Sequence, residues 1–364
     1  MTDPASPAGW VEAWQPTKTP KPDLRTVDVH AHTMVPESAE LTRPHFRPEL
    51  EPRTFYSSSV TKEINSEFYR LAQDKYTDPE TRLADMDAMG IDIQLVALTP
   101  FHYFYWADND LASQVAAMQN EAIARTVAHE PHRLIGVGTL PLAHPGAAVT
   151  EVSRIADLGF PAVEIGADVN GTDLDDPGLE PVWAALEEAG LVAILHPAGF
   201  TEAKRLTDYY LVNVIGMPLS TTLAVTRLIL AGVFERHPGL RMVLVHGGGF
   251  LPFYWARTDH AFRHRPEMRG HIDRLPSEYL ADLYFDLTVF DAELVKTLAT
   301  RFGADHLMIG TDYPFDMGET DPLGLLAETG LDEAGFRAVA GENAIRLFRL
   351  DWTRAGRTQR DGSG

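Results

Sequence analysis

The sequence predicts an α/β protein built as a (β/α)8 barrel of the TIM type, with an insertion after the first strand. Eight short apolar segments alternate with longer segments of helical periodicity along the 364 residues. Such an alternation favours a parallel sheet whose strands are joined by right-handed crossovers. Histidine or aspartate residues follow four of the eight segments, and a barrel carries its functional groups at the carboxyl ends of its strands.

Eight segments are predicted as strands because each is short, rich in β-branched and aliphatic residues, and bounded by polar residues. Their nearly continuous apolar character is typical of strands that are buried on both faces. In chain order the predicted strands are Thr26–His30, Ile93–Leu98, Leu134–Leu140, Ala162–Gly166, Leu191–Leu195, Arg241–Val245, Leu283–Val289 and His306–Ile309.

Helical periodicity of the apolar residues predicts helices in most of the gaps between these strands. They are Pro79–Met89, Asp110–His129, Ala147–Leu158, Leu179–Ala189, Leu219–His237 and Asp291–Phe302. The stretch 33–77 is long for a connection, so we expect it to form an active-site insertion or lid. The barrel is expected over residues 25–352, between a proline-rich arm at residues 1–24 and a polar tail at residues 353–364.

Composition excludes several classes of function. The chain has 31 Lys and Arg against 52 Asp and Glu, a formal net charge of −21, which disfavours nucleic-acid partners and anionic membrane surfaces. It has no cysteine, so disulfides, thiol nucleophiles and cysteine-ligated zinc are ruled out. No apolar run approaches the roughly 18 residues of a membrane span, and no signal-peptide pattern is visible. We therefore expect a soluble, cytoplasmic protein.

Five metal-binding side chains follow the predicted strands. His30 and His32 end the first strand, and residues two apart in a strand point the same way. His196 follows the fifth strand, His246 the sixth and Asp312 the eighth. A single histidine at a strand end is more often structural than a ligand. Five such residues in this order, however, are expected to converge on one face of a barrel.

The donor types indicate which metal would bind. Imidazole nitrogen and one carboxylate oxygen, with no sulfur, suit Zn²⁺, while Mn²⁺, Fe²⁺ or Co²⁺ are alternatives. Three histidines and one aspartate leave room for a bound water, whose pKa falls toward about 7 on zinc. The fourth histidine then becomes a candidate general acid/base, because histidine titrates near neutral pH.

Four motifs in this order resemble the amidohydrolase superfamily, in its amidohydrolase-2 decarboxylase branch. They are VDVHAH at 27–32, HP at 196–197, HGGGFLPF at 246–253 and GTDYPFDMGE at 310–319. The last two are specific to the aminocarboxymuconate-semialdehyde decarboxylase subfamily. The resemblance implies that His30, His32, His196 and Asp312 bind zinc, that Asp312 also orients the bound water, and that His246 is the acid/base.

The resemblance also implies residues that bind the substrate. Arg257 matches an arginine that a neighbouring subunit supplies, which implies a homodimer, and Arg70 matches a second arginine that binds substrate carboxylate. Either could instead be a solvated surface residue. The aromatic cluster at 101–106, which ends in Trp106, either lines the pocket or packs beneath the insertion.

Two positions depart from the family pattern. Ala198 replaces the tryptophan that follows HP in the family, which opens space beside the metal. Glu164 stands where the subfamily tends to have glutamine. A carboxylate there could bridge a second metal or pair with a nearby cation.

The sequence therefore predicts a metal-dependent nonoxidative decarboxylase that uses a metal-bound water and a histidine acid/base. Its substrate is expected to be a small unsaturated or aromatic carboxylate, similar to aminocarboxymuconate semialdehyde or to a hydroxybenzoate. No organic cofactor is expected, because no dinucleotide or P-loop pattern follows a strand. The alternative is a hydrolase or hydratase that uses the same water with Asp312 as general base. A barrel that binds a metal or a protein without catalysis is the third possibility.

Overall fold

Parallel strands dominate the computed structural model, which describes residue 19 and residues 23–351. Nearly all of the predicted arm and the whole predicted tail lie outside these residues. In chain order the strands are β1 (Val27–Thr33), β2 (Ile93–Leu98), β3 (Leu134–Thr139), β4 (Ala162–Ile165), β5 (Asp168–Val169), β6 (Thr172–Asp173), β7 (Val192–Leu195), β8 (Arg241–Leu244), β9 (Tyr284–Asp286) and β10 (Leu307–Met308). Strands β5 and β6 form a small antiparallel hairpin, and the other eight form one parallel sheet.

The parallel sheet curls until its first and last strands meet. The strand order is β1-β2-β3-β4-β7-β8-β9-β10, so neighbours in space are also neighbours in sequence. The Val29 N–H donates to the Ile309 carbonyl at 2.9 Å, and the His32 N–H donates to the Tyr313 carbonyl at 2.7 Å. These bonds join β1 to the segment around β10. The predicted (β/α)8 barrel is confirmed.

Helices connect and flank the strands. They are α1 (Pro36–Thr42), α2 (Pro52–Tyr56), α3 (Ser59–Leu71), α4 (Gln73–Thr77), α5 (Pro79–Met89), α6 (Asn109–Val127), α7 (Pro145–Asp157), α8 (Glu180–Ala189), α9 (Met217–Leu230), α10 (Val233–Arg236), α11 (Leu251–His264), α12 (Pro276–Leu280), α13 (Ala292–Phe302), α14 (Pro322–Glu328), α15 (Glu333–Arg337) and α16 (Asn343–Leu347).

Local sequence signals explain several helix boundaries. Helix α5 starts with Pro79, and the Asp78 side chain accepts from the free Thr81 N–H at 3.0 Å, as expected for an N-cap. The helix ends at Met89, and Gly90 follows it with a left-handed φ of 74°, a conformation that glycine adopts without steric strain. The predicted helix Leu219–His237 is instead divided into α9 and α10, because Gly232 adopts a left-handed φ of 72° between them.

The segment predicted as an insertion contains α1 to α4. A buried aromatic cluster joins it to the barrel, since Phe68 and Tyr76 pack with Phe315, which follows β10. The partly buried Phe101, which follows β2, packs on the same cluster. The insertion therefore contacts the loops at the carboxyl ends of the strands.

One apolar helix resembles a membrane span by length and composition. It runs over Val212–Leu230, with a mean hydropathy of 1.3, and comprises a π-helical turn followed by α9. Half of its apolar window is buried inside the protein, and α9 is the crossover between β7 and β8. The helix is therefore part of the barrel. Within residue 19 and residues 23–351, no other helix resembles a span.

Candidate active site and metal centre

The five residues predicted to converge do meet at the carboxyl ends of the strands. His30 and His32 lie on β1, His196 follows β7, His246 follows β8 and Asp312 follows β10. Neighbouring imidazole rings have centroids 4.8 to 5.1 Å apart. The Asp312 carboxylate lies among them, with Oδ1 at 3.0 Å from His32 Nε2 and 3.3 Å from His30 Nε2.

The donor atoms of this cluster fit a cation. Buried polar atoms normally have hydrogen-bond partners, yet the Nε2 atoms of His30, His32 and His196 have none, and neither does Asp312 Oδ1. One ligand atom from each of His30, His196, His246 and Asp312 lies within 4.8 Å of the others. Nitrogen and oxygen donors of this kind suit a divalent metal such as zinc or manganese.

Hydrogen bonds behind the cluster orient three of the imidazoles. His30 Nδ1 lies 2.6 Å from Asp286 Oδ2, His32 Nδ1 lies 3.2 Å from the Leu98 carbonyl, and His196 Nδ1 lies 2.8 Å from the Pro197 carbonyl. Each partner can only accept, so each Nδ1 carries the proton. The Nε2 lone pairs then point toward the centre, which is the form that binds a metal.

His246 differs from the other three histidines. Its Nδ1 is buried without a hydrogen-bond partner, so no acceptor fixes its proton. Its side chain is 18% exposed, whereas those of His30 and His32 are fully buried, and its Nε2 lies 3.7 Å from Asp312 Oδ2. A histidine that faces the cavity and lacks an outer partner suits proton transfer better than a ligand role.

Burial sets the protonation of the ligand cluster. It lowers the pKa of His32 to about 4, and that of His196 well below its usual range. Both rings are therefore neutral near pH 7 and keep their lone pairs. Burial raises the pKa of Asp312, but the electrostatic effect of the neighbouring His30 outweighs it and holds that pKa well below the usual range.

Asp286, which the sequence analysis missed, is the buried carboxylate that connects the cluster. It lies at the end of β9 and accepts from His30 and, at 2.9 Å, from the Gly247 N–H. Gly247 has φ of 59°, and a Cβ there would lie 2.4 Å from Val289 Cγ1, so only glycine fits. The available signal was an acidic residue inside the otherwise apolar segment predicted as the seventh strand.

A second buried carboxylate, that of Asp28 on β1, accepts hydrogen bonds from several neighbouring segments. Asp28 accepts from the His30 N–H at 3.1 Å and from the Thr311 N–H and hydroxyl at 3.0 and 2.6 Å. Gln94 on β2 donates to it at 2.8 Å. Burial raises the pKa of Asp28 to about 6. This network holds His30 and the loop that carries Asp312 in register.

The two predicted arginines do not reach the cluster within this chain. Arg70 on α3 has an exposed side chain and pairs with Glu67, with 2.6 Å between Nη2 and Oε1. Arg257 on α11 is exposed as well.

Arg53, which the sequence analysis also missed, lies at the cavity that His196, His246 and Asp312 line. It belongs to α2 in the insertion and is only 7% exposed. Its guanidinium lies 4.2 Å from the centroid of the Phe101 ring, and it interacts electrostatically with Asp316 and Tyr210, which line the same cavity. The signal for it was an arginine within the aromatic stretch of the insertion, which the resemblance did not cover well.

Glu164 lies beside His32, whereas Trp106 contacts the insertion. Glu164 accepts from the Tyr103 hydroxyl at 2.7 Å, and its Oε1 lies 4.0 Å from His32 Nδ1. Burial raises the pKa of Glu164 to about 8. Its closest partner is thus a neutral phenol. The Trp106 indole N–H donates to Glu51 Oε1 at 2.8 Å, so this ring contacts the insertion.

Comparison with known proteins agrees with this fold and site. The sequence model of a family described as Amidohydrolase matches residues 27–350. The 2-amino-3-carboxymuconate-6-semialdehyde decarboxylase of Dictyostelium discoideum is 32% identical over 339 residues, with 89% of this chain and 92% of that protein covered. The gamma-resorcylate decarboxylase of Rhizobium radiobacter is 29% identical, with 79% and 92% covered. The 5-carboxyvanillate decarboxylase structure from Sphingomonas paucimobilis superimposes with a TM-score of 0.82 at 26% identity, covering 90% of this chain and all of that one.

The fold is a (β/α)8 barrel, and the cluster at the carboxyl ends of its strands could hold a divalent metal. The chain belongs to the amidohydrolase family. Its similar proteins are decarboxylases, so the predicted resemblance to the decarboxylase branch is confirmed, and so is the predicted class of carboxy-lyase.

Removing the Asp286 carboxylate should weaken metal binding. In the Asp286→Asn variant the amide cannot accept as strongly from His30, so we expect a loss of about 10-fold to 100-fold in affinity for Zn²⁺ or Mn²⁺. Competition with a chromogenic chelator measures this affinity. Glu293→Gln, at an exposed position of α13, is the control and should bind like the wild type. Equal affinities for all three proteins would contradict the role of Asp286.

Proposed function

We propose that the protein is a nonoxidative decarboxylase whose divalent metal, zinc or a related ion, is held by His30, His32, His196 and Asp312. The observation that supports this set is the orientation of three imidazoles by acceptors at Nδ1, which leaves three buried Nε2 atoms without partners. When bound, the metal supplies a Lewis acid that polarises a substrate oxygen and makes a bound water more acidic.

His246 is the proton donor in this proposal. Decarboxylation breaks the bond between a carbon and its carboxylate, and the electron pair that stays behind must accept a proton. His246 lines the cavity, and its buried Nδ1 has no hydrogen-bond acceptor to hold the ring. It delivers a proton to that carbon, carbon dioxide leaves, and solvent reprotonates the ring. Asp312, next to His246, keeps the ring oriented.

Arg53 is the residue we propose for binding the substrate carboxylate. Arg53 is a buried cation beside the Asp316 carboxylate, and a substrate carboxylate would give its guanidinium a further anionic partner. Its guanidinium fork can bind a carboxylate through two parallel hydrogen bonds. Arg53 lines the same cavity as His246 and Asp312, which supports this role.

Release of carbon dioxide by the metal-loaded protein tests the function. The substrates are aminocarboxymuconate semialdehyde and a set of ortho-hydroxybenzoates. His246→Asn should reduce the turnover number by about 100-fold or more, because it removes the proton donor. Consumption of a substrate without carbon dioxide release would favour the hydrolase or hydratase alternative instead.

Arg53 and Arg70 provide a matched pair of variants. Arg53→Met keeps the length of the side chain and removes its charge, so we expect kcat/KM to fall by roughly 10-fold to 100-fold, the value of a charge-assisted hydrogen bond. Arg70→Met, at an exposed position, should leave kcat/KM unchanged. If Arg70→Met lowered kcat/KM and Arg53→Met did not, Arg70 would be the residue that binds the substrate carboxylate. Thermal unfolding of both variants checks that the fold is intact.

We also propose that Arg257 acts in the active site of a second copy of the chain. Phe250, Phe253 and Tyr254 are 37%, 42% and 66% exposed, which is unusual for large apolar side chains so close together. The Phe250 N–H donates to Thr222 on α9 at 2.9 Å, so the patch continues onto that helix. Arg257 lies one turn further along α11 and forms no ion pair within the described residues.

Mixing two inactive variants tests the shared site. If Arg257 crosses a two-fold interface, an Arg257→Ala chain and a His246→Ala chain form one intact site per mixed dimer. Random exchange of subunits should then restore about a quarter of the wild-type activity. A mixture as inactive as its components, or a monomer in sedimentation, would contradict the proposal.

A further inference from the structure

The barrel closes at a seam that carries three of the four proposed metal ligands. Strands β1 and β10 are the end strands of the parallel sheet, and an isolated bridge between Ala31 and Tyr313 joins β1 to the segment that follows β10. The pairing register of β1 on β2 also shifts within β1. His30, His32 and Asp312 lie at this seam. Because the backbone ladder is irregular here, side-chain hydrogen bonds contribute to the spacing of the ligands.

Arg82 is a buried arginine that contacts this seam from the outside of the sheet. It lies on α5, between the insertion and β2, and is 1% exposed. Its Nη2 donates to the His32 carbonyl at 2.5 Å, and its Nη1 donates to Gln94 Oε1 on β2 at 2.7 Å. Its guanidinium carbon lies 4.8 Å from the centroid of the Tyr313 ring. One planar side chain therefore contacts β1, β2 and the segment after β10.

Gln94 carries the effect of Arg82 to the other side of the seam. A guanidinium can only donate and a carboxylate can only accept, so the amide between them has one possible orientation. Gln94 accepts from Arg82 through Oε1 and donates through Nε2 to Asp28 at 2.8 Å. Asp28 accepts in turn from the His30 N–H and from Thr311, in the loop after β10.

The positive charge of Arg82 belongs to the same arrangement. Asp28 and Asp85 are carboxylates that interact electrostatically with it. Asp85 pairs with Lys75 on α4, with 2.5 Å between Nζ and Oδ2, and accepts from the Tyr313 hydroxyl at 3.0 Å. Position 82 therefore requires a cation that also donates in two directions, which lysine provides only in part.

We propose that Arg82 is a positioning residue for the metal centre, which keeps the two histidines of β1 and Asp312 at the spacing that a cation requires. It acts on His32 through the backbone carbonyl rather than through the imidazole ring. It acts on the other side of the seam by orienting Gln94 toward Asp28. This inference rests on the proposed function for the identity of the metal ligands.

Titration with Co²⁺ tests this role without turnover. Co²⁺ absorbs visible light with an intensity that depends on its coordination, so one titration of the metal-free protein reports both affinity and geometry. Arg82→Lys keeps the charge, but its ammonium group cannot donate to both acceptors with the geometry of the guanidinium fork. We expect Co²⁺ affinity to fall by about 10-fold to 100-fold and the visible spectrum of the bound ion to change.

Arg133→Lys is the matched control. Arg133 also donates to two backbone carbonyls, those of Ile91 and Asp92, at 2.9 and 3.0 Å. These residues precede β2, at the end of the barrel opposite to the cluster. The control should lower the melting temperature and leave the Co²⁺ affinity and spectrum unchanged. If both variants lost stability while neither changed affinity or spectrum, Arg82 would have a purely structural role and the inference would be overturned.

Gln94→Met decides the question if Arg82→Lys does not fold. Methionine has a similar length but cannot join Arg82 to Asp28, so the Co²⁺ affinity should fall by about 10-fold and the spectrum should change. Wild-type binding by this variant would overturn the inference.

The failure of this inference differs from the failure of the proposed function. A wild type that binds Co²⁺ but releases no carbon dioxide from any carboxylate would contradict the decarboxylase proposal, and the spectra would still decide the role of Arg82. Carbon dioxide release together with unchanged Co²⁺ binding by the variants would overturn the positioning role alone. A wild type that binds no Co²⁺ would overturn both.

Discussion

The hydrogen bond between His30 and Asp286 is the interaction on which the rest of the site depends. It fixes one imidazole on β1, and the same carboxylate holds the Gly247 N–H of the loop that presents His246. Strands β1 and β9 are not neighbours in the sheet, so this bond spans the interior of the barrel. Several strands thereby present their side chains to one centre with the spacing that a cation requires.

The barrel and the insertion contribute different residues to the site. The barrel supplies the five residues of the cluster, and the insertion between β1 and α5 supplies Glu51 and Arg53, which lie in different cavities. In a chain with a net charge of −21, the buried Arg53 guanidinium places a positive charge at the cavity that His246 and Asp312 line.

Sequence reasoning was sufficient for the fold and for the cluster because both depend on local patterns. Buried parallel strands are short and apolar, and cluster residues such as His196 and Asp312 lie just after them. Sequence reasoning did not identify Arg53 and Asp286. Their importance arises from contacts across the barrel, with residues 48 and 256 positions away, Phe101 and His30. Similarly, α11 was not predicted, because the exposed aromatic residues at its start obscure its helical period.

The division of labour between barrel and insertion has an evolutionary consequence. Because α2 contributes to both cavities but holds none of the five cluster residues, mutations within the insertion can change what is recognised while the reactive centre stays intact. Relatives that share the barrel can then diverge in substrate through this one segment. A library confined to residues 46–56 would vary Glu51, Arg53 and their neighbours while leaving the five cluster residues unchanged.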